Sequence, residues 1–214
     1  MNPLLTLEIQ EQIKEFLKAM KDPVTFVLFT KNEACETCQM TQMLLKEITG
    51  LSSKLTLIEK DLVNDELTAK QYHVSLAPSF VLLDKDGVYK GVKFNGIPAG
   101  HEINSFLSAI LDMSGREFEL DKESIARIQK IDKDVNIKVF VTLSCPHCPG
   151  AVSKAHRLAL LNPHIEAEMI EAQTFMDLSQ KYNVSGVPKI VINDTHELVG
   201  NQPIEAFLQE MERL

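Results

Sequence analysis

The sequence has no tryptophan and no long apolar run. A membrane-spanning helix needs about 20 consecutive apolar residues, and charged residues interrupt every apolar stretch well before that length. The N-terminal stretch lacks the basic start and continuous apolar centre of a secretory signal. Apolar residues recur there at helical spacing instead, which indicates an amphipathic helix. These absences predict a cytoplasmic protein with no membrane partner.

Positive charge is also scarce, with 22 Lys and Arg against 30 Asp and Glu and a net charge of −8. No basic run offers the phosphate contacts that nucleic-acid binding requires, so we expect no nucleic-acid partner. The nine glycines form neither a phosphate-binding loop nor a dinucleotide fingerprint, and we expect no bound nucleotide or flavin cofactor. The 44% hydrophobic content suits a globular chain with a buried core.

Cysteine is rare, but its placement is informative. All four cysteines fall into two Cys-x-x-Cys pairs, Cys35 with Cys38 and Cys145 with Cys148. The second pair follows the β-branched and aromatic run 139–142 and precedes a helical pattern. A helix N-terminus stabilises a thiolate on the first cysteine, and the second cysteine can attack the mixed disulfide that the first one forms. The pattern predicts redox chemistry and catalytic rather than structural cysteines in a reducing compartment.

The chain contains an internal repeat. Three landmark residues recur at a spacing of 110 residues: Cys35 and Cys145, Cys38 and Cys148, and Pro78 and Pro188. A period this long indicates duplicated domains rather than a short-repeat solenoid. The segment 113–115 is the expected boundary, which predicts two units, residues 1–115 and 116–214.

Hydrophobic periodicity predicts the same order of elements in both units: helix, strand, helix, strand, helix, strand, strand, helix. Pro203 is predicted at the first position of the last helix. Met40 and Met43 lie at helical spacing and are predicted to be core residues. Surface or capping positions are predicted for five histidines without mutual ligand spacing: His73, His101, His156, His164 and His196.

These motifs carry a resemblance to a known family. Each unit resembles the thioredoxin/glutaredoxin fold, on Cys35-Glu36-Thr37-Cys38 with Ala77-Pro78 and on Cys145-Pro146-His147-Cys148 with Val187-Pro188. The tandem arrangement is similar to the protein disulfide oxidoreductases of archaea and thermophilic bacteria. The resemblance implies an α/β protein of two thioredoxin-like units, each a central mixed sheet flanked by helices. We expect the two sheets to form one extended layer.

The resemblance also implies residue roles and partners. Cys35 and Cys145 would attack substrate disulfides, and the second cysteine of each pair would resolve the mixed disulfide. Pro78 and Pro188 would form cis peptides, leaving the neighbouring backbone at Ala77 and Val187 free to pair with an extended substrate. The expected activity is that of a protein dithiol–disulfide oxidoreductase without a cofactor beyond its cysteine pairs. Its expected partners are proteins with disulfides or dithiols and a thioredoxin-reductase-like flavoprotein.

The sequence departs from thioredoxin itself at the expected proton acceptor. Thioredoxins place a buried aspartate six residues before the first cysteine, where this chain has Phe29 and Val139. Glu59, Glu168 or Glu171 on neighbouring strands could substitute, although exposed strand glutamates are the interpretation we favour.

The two pairs are predicted to differ in reactivity. Glu36 places negative charge beside Cys35, whereas the dipeptide Pro146-His147 resembles that of strongly oxidising thiol oxidases. A protonated His147 would stabilise the Cys145 thiolate. We expect Cys145 to be alkylated faster than Cys35 near neutral pH. Iodoacetamide trapping of the reduced protein between pH 5 and pH 8 checks this, and equal rates throughout would contradict it.

Three other functions fit parts of the pattern. A zinc site is disfavoured because the two pairs lie in different repeats, far beyond the spacing of about 15–20 residues typical of paired zinc knuckles. We therefore expect no metal. An electron shuttle between a thioredoxin-reductase-like flavoprotein and a peroxiredoxin resembles the N-terminal portion of alkyl hydroperoxide reductase flavoproteins, which normally keeps a working pair only in its second unit. A non-enzymatic peptide-binding chaperone is the third possibility.

Overall fold

The computed structural model describes residues 3–31, 35–117 and 119–214. The described part of the first repeat contains these elements in order: α1 Leu7–Leu17, β1 Val24–Thr30, α2 Glu36–Thr49, β2 Leu55–Asp61, α3 Glu66–Gln71, β3 Ser79–Leu83, β4 Tyr89–Asn95, a 3-10 turn Gly100–Glu102, and α4 Ile103–Met113. The second repeat contains α5 Lys122–Gln129, β5 Val135–Val141, α6 Cys148–Leu161, β6 Ile165–Glu171, α7 Met176–Lys181, β7 Lys189–Ile192, β8 His196–Val199 and α8 Ile204–Met211. The predicted order of elements is confirmed in both repeats.

The eight strands within the described ranges form one sheet in the order β2-β1-β3-β4-β6-β5-β7-β8. The repeats join where β4 pairs in parallel with β6, with Val92 opposite Ala167 and Asn95 opposite Ile170. The single extended layer expected from the sequence is therefore present. A glycine permits this junction, since Gly91 has a φ of +76° and a Cβ there would collide with the carbonyl oxygen of Ile165.

The helices lie on both faces of the sheet, and the strands are buried accordingly. On one face, α1, α2, α4, α5, α6 and α8 cover a continuous apolar core that runs through both repeats. On the other face, α3 and α7 cover two smaller clusters centred on Phe29 and Phe140. Phe26, Phe80, Phe94 and Phe106 pack together in the large core, with neighbouring ring centroids 5.0 to 6.3 Å apart. This arrangement explains why the central strands are apolar at nearly every position rather than at alternate ones.

A buried charge joins the helices of the two repeats. The carboxylate of Asp112 on α4 accepts hydrogen bonds from Arg116 at 2.6 Å and from Arg157 on α6 at 2.8 Å. Because its side chain is only 2% exposed, removing either arginine would leave a buried carboxylate less compensated. The pair of arginines therefore helps fix α6, which carries the second cysteine motif, against the first repeat.

Three local predictions were wrong. Pro203 is the N-cap of α8 rather than its first helical residue, with an extended ψ of 158°. Met40 is 39% exposed rather than part of the core, because it lies on the outer face of α2. His156 is buried at 2% exposure on α6, where its ring lies 4.7 Å from that of Phe94. No helix within the described ranges is long and apolar enough to cross a membrane.

Candidate active sites

The two cysteine pairs lie at the same end of the sheet. Cys35 follows β1 and Cys145 follows β5. Strand β1 is antiparallel to β3, which is antiparallel to β4, and β4, β6 and β5 are mutually parallel, so β1 and β5 point in the same direction. They are four strand positions apart, or about 19 Å across the sheet. Both sites therefore face the same side of the molecule.

Each pair forms a disulfide across the start of a helix. The Cα atoms are 5.2 Å apart in Cys35–Cys38 and 5.6 Å apart in Cys145–Cys148. The backbone N–H of the second cysteine donates to the sulfur of the first at 3.2 Å in both pairs. These donors, together with the helix dipole, stabilise negative charge on the first sulfur once the pair is reduced.

The second cysteines are shielded and the first ones are less so. Cys38 and Cys148 are 3% and 0% exposed, Cys145 is 8% exposed, and Cys35 is half-buried. In the disulfide form Cys35 is thus the more accessible of the two first cysteines. The predicted faster reaction of Cys145 must come from its electrostatic surroundings rather than from exposure.

The two prolines occupy equivalent places beside the pairs. The Ala77–Pro78 and Val187–Pro188 bonds are both cis, as the resemblance implied. The carbonyl oxygen of Pro78 accepts a hydrogen bond from the backbone N–H of Gly96, and that of Pro188 accepts one from the backbone N–H of Gly200. Within the described part of the chain, the backbone N–H and C=O of Ala77 and Val187 have no hydrogen-bond partner, and both residues are half-buried. Each site therefore presents an unpaired backbone edge next to its disulfide.

The motif dipeptides lie at the surface. Glu36 is exposed in the first turn of α2, and His147 is exposed as the N-cap of α6. Pro146 also lies at the surface. These side chains are placed to influence the first cysteine of each pair without being covered by other parts of the described chain.

None of the three strand glutamates has the environment of a free proton acceptor. The side-chain hydrogen bond from Lys46 holds the pKa of Glu59 below its usual range. Glu168 is 9% exposed, and its carboxylate accepts hydrogen bonds from the side-chain amides of Asn95 at 2.7 Å and Asn136 at 3.1 Å. Glu171, 3% exposed, accepts from the backbone N–H of Thr174 at 2.6 Å. The favoured interpretation of exposed glutamates was wrong for Glu168 and Glu171, because both faces of β6 are covered.

A carboxyl that the sequence analysis did not single out lies on a turn packed against the helix of the second site. Glu102 ends the 3-10 turn that contacts α6, and the neighbouring His101 N–H donates to Leu143 O at 2.9 Å, just before Cys145. Glu102 is fully buried, Ser105 donates to its Oε2, and its Oε1 has no partner within the described residues. Burial raises the pKa of Glu102 to about 7. In the sequence, Glu102 precedes Ile103, Asn104 and Ser105 at a helix start, a pattern typical of an exposed residue, so no local signal marked its burial.

The described residues, which include all four cysteines, contain no group of three or more His, Cys, Asp or Glu placed to hold a metal ion. Each cysteine is joined to the other member of its own pair.

Comparisons with known proteins agree with this geometry. The family profile described as "Thioredoxin domain" matches residues 135–213. The alkyl hydroperoxide reductase protein AhpF of Staphylococcus aureus is 30% identical over 208 residues; these cover 97% of this chain but only 38% of that longer protein.

Two solved structures superimpose over nearly the whole chain. The alkylhydroperoxide reductase protein AhpF of Enterococcus faecalis has a TM-score of 0.91 at 29% identity, covering 97% of this chain and 99% of that one. The protein disulfide oxidoreductase of Aeropyrum pernix K1 has a TM-score of 0.89 at 29% identity, and the match covers 97% of this chain and 92% of that one. The chain therefore consists of thioredoxin-like repeats, the second of which matches the thioredoxin-domain family, and each repeat carries one cysteine pair.

Proposed function

We propose that the protein is an oxidoreductase that exchanges disulfides with protein substrates through both cysteine pairs. The observation that carries this proposal is the repeated arrangement of a disulfide at a strand end, a helix N-terminus and an unpaired backbone edge at Ala77 or Val187. We further propose that the active units comprise residues 1–115 and 116–214 and that they work in the cytoplasm.

The exchange proceeds in two substitutions at sulfur. In the reduced protein, the Cys145 thiolate attacks one sulfur of a substrate disulfide, and the other substrate sulfur leaves as a thiolate. Cys148 then loses its proton and attacks the Cys145 sulfur in the mixed disulfide. The substrate leaves as a dithiol, and the Cys145–Cys148 disulfide is formed. Cys35 and Cys38 perform the same steps in the first unit, and reversing the steps oxidises a substrate dithiol.

The resolving step needs a group that takes up the proton of the fully buried Cys148. We assign this role to Glu102, because its 3-10 turn packs against α6, its Oε1 has no partner among the described residues, and burial raises its pKa to about 7. A group that is half ionised near neutral pH can both accept and return a proton. The first repeat would thus provide the proton acceptor for the second site.

A second candidate function is favoured by the similarity to the AhpF proteins. In that case the protein would carry electrons from a thioredoxin-reductase-like flavoprotein to a peroxiredoxin. The chemistry at sulfur is the same, and only the partners differ. The Cys35–Cys38 pair distinguishes the two candidate functions. An electron shuttle needs only one working pair, whereas an oxidoreductase with two sites uses both.

Redox titration tests whether the pairs are exchange sites. We expect the Cys35→Ser/Cys38→Ser and Cys145→Ser/Cys148→Ser proteins each to titrate between roughly −120 and −270 mV, the range of thiol–disulfide oxidoreductases, with the second pair the more oxidising. Equilibration with glutathione and thioredoxin buffers gives both midpoints. Potentials below about −300 mV would identify structural disulfides and contradict the proposal. Coincident midpoints would contradict a division of labour between the sites.

A further inference from the structure

Helix α7 separates two surface cavities that adjoin the two sites. The first cavity has a volume of about 480 Å³; Leu76, beside Ala77, forms one wall, and the segment 174–178 with Lys181 forms the other. The second cavity has a volume of about 330 Å³ and extends along the segment 184–187 up to Val187, beside Pro188. One short helix of the second repeat therefore lines a space next to each of the two proline loops.

Met176, the first residue of α7, lines both cavities. Its side chain is 63% exposed, so it does not belong to the core. The equivalent position in the first repeat, 110 residues earlier, is Glu66, which forms a surface ion pair with Lys70 at 2.6 Å. Because the same helix forms with glutamate there, the fold does not require an apolar residue at this position.

The cavities place apolar residues beside free backbone groups. Leu76, Phe175 and Leu178 line the first cavity, next to Ala77, and Val184 and Val187 line the second. An extended polypeptide uses both features at once, since its backbone pairs with an exposed edge while alternate side chains enter neighbouring pockets.

We propose that Met176 is a docking residue shared by both sites, and that its ligand is an extended apolar segment flanking the reactive cysteine of a protein substrate. This docking role rests on the proposed function, and it specifies which substrate segments the two exchange sites recognise. The unbranched thioether of methionine adapts to differently shaped partners, which suits an enzyme that accepts many proteins. None of the described residues that line the second cavity is charged, whereas Asp177 and Lys181 line the first, so the second site would favour uncharged segments.

The test compares a protein disulfide with a small one. Met176→Lys and Met176→Leu are introduced into the Cys35→Ser/Cys38→Ser and the Cys145→Ser/Cys148→Ser proteins, each of which retains a single pair. Second-order rate constants are measured for the reduced proteins with insulin and with the small aromatic disulfide DTNB. We expect Met176→Lys to lower the ratio of the insulin rate to the DTNB rate roughly five- to tenfold in both backgrounds, as for loss of an interface anchor. Met176→Leu should retain the ratio to within about twofold.

Leu7→Lys is the matched control, because Leu7 is also an exposed first residue of a helix, at 80% exposure on α1, and lines neither cavity. It should leave the ratio unchanged. An unchanged ratio in Met176→Lys, or a change at only one site, would overturn the shared docking role while leaving the proposed function intact. Single-pair proteins that reduce DTNB but not insulin, with Met176 in place, would overturn both proposals.

Discussion

Replacing both first cysteines, Cys35 and Cys145, by serine is expected to lower the rate of insulin reduction by roughly a thousandfold or more, because a serine hydroxyl cannot replace a thiolate nucleophile at neutral pH. Cys145→Ser alone should lower the rate about tenfold, leaving the slower first pair. Cys35→Ser alone should retain most of the activity. The measurement is the initial rate of insulin reduction with dithiothreitol as the electron donor, corrected for the rate without protein.

The single variants also distinguish the candidate functions. If both pairs exchange disulfides, the Cys145→Ser protein keeps a measurable rate that disappears when Cys35 is also replaced. A first pair that contributes nothing even in the Cys145→Ser protein would favour the electron shuttle. Full activity in the double variant would show that the reduction does not depend on Cys35 and Cys145 and would contradict the proposed chemistry.

Two buried groups are expected to give opposite pH dependences of stability. Burial lowers the pKa of His156 from 6.5 to about 4 and raises that of Glu102 from 4.5 to about 7. Between about pH 4 and 6.5 the unfolded chain binds a proton at His156 that the folded protein does not, so this group makes the free energy of unfolding rise with pH. Between about pH 4.5 and 7 the folded protein keeps a proton on Glu102 that the unfolded chain has lost. This group therefore makes the free energy of unfolding fall as the pH rises. Each effect amounts to about 3 kcal/mol.

Glu102→Gln should therefore reveal the contribution of His156. Relative to wild type, its free energy of unfolding is expected to increase by about 3 kcal/mol as the pH rises from 4.5 to 7. His156→Phe should show the opposite change between pH 4 and 6.5, and the double variant should follow the wild-type profile with an offset. Urea unfolding of the disulfide form at several pH values measures these differences. Single-variant curves parallel to wild type would show that neither group titrates abnormally.

The same glutamine substitution bears on catalysis, because an amide keeps the size of Glu102 but cannot accept a proton. In the protein that retains only the second pair, we expect insulin reduction to slow by roughly tenfold to a hundredfold near neutral pH. The protein that retains only the first pair is the control and should be unaffected. Equal slowing in both backgrounds would indicate a general structural effect instead of proton transfer at the second site.

The sequence alone determined the order of elements, the α/β class, the repeat and the cysteine chemistry. These features depend on local patterns: the apolar periodicity of each helix and strand, and the 110-residue spacing that relates Cys35 to Cys145 and Pro78 to Pro188. The cis form of the two prolines also followed from the motif, since the resemblance placed each one next to a cysteine pair.

Only the tertiary structure decided where the polar groups lie. His156 and Glu168 have polar residue types that predict exposure, but the β4–β6 junction covers them from the other repeat. Glu102 lies 43 residues before Cys145 in the chain, and only the packing of its 3-10 turn on α6 brings the two elements together. Such contacts depend on how the two repeats share one sheet, which no local pattern encodes. The cysteine pairs could therefore be predicted from the sequence, whereas the buried carboxyl on the turn packed against α6 is apparent only from the way one repeat covers the other.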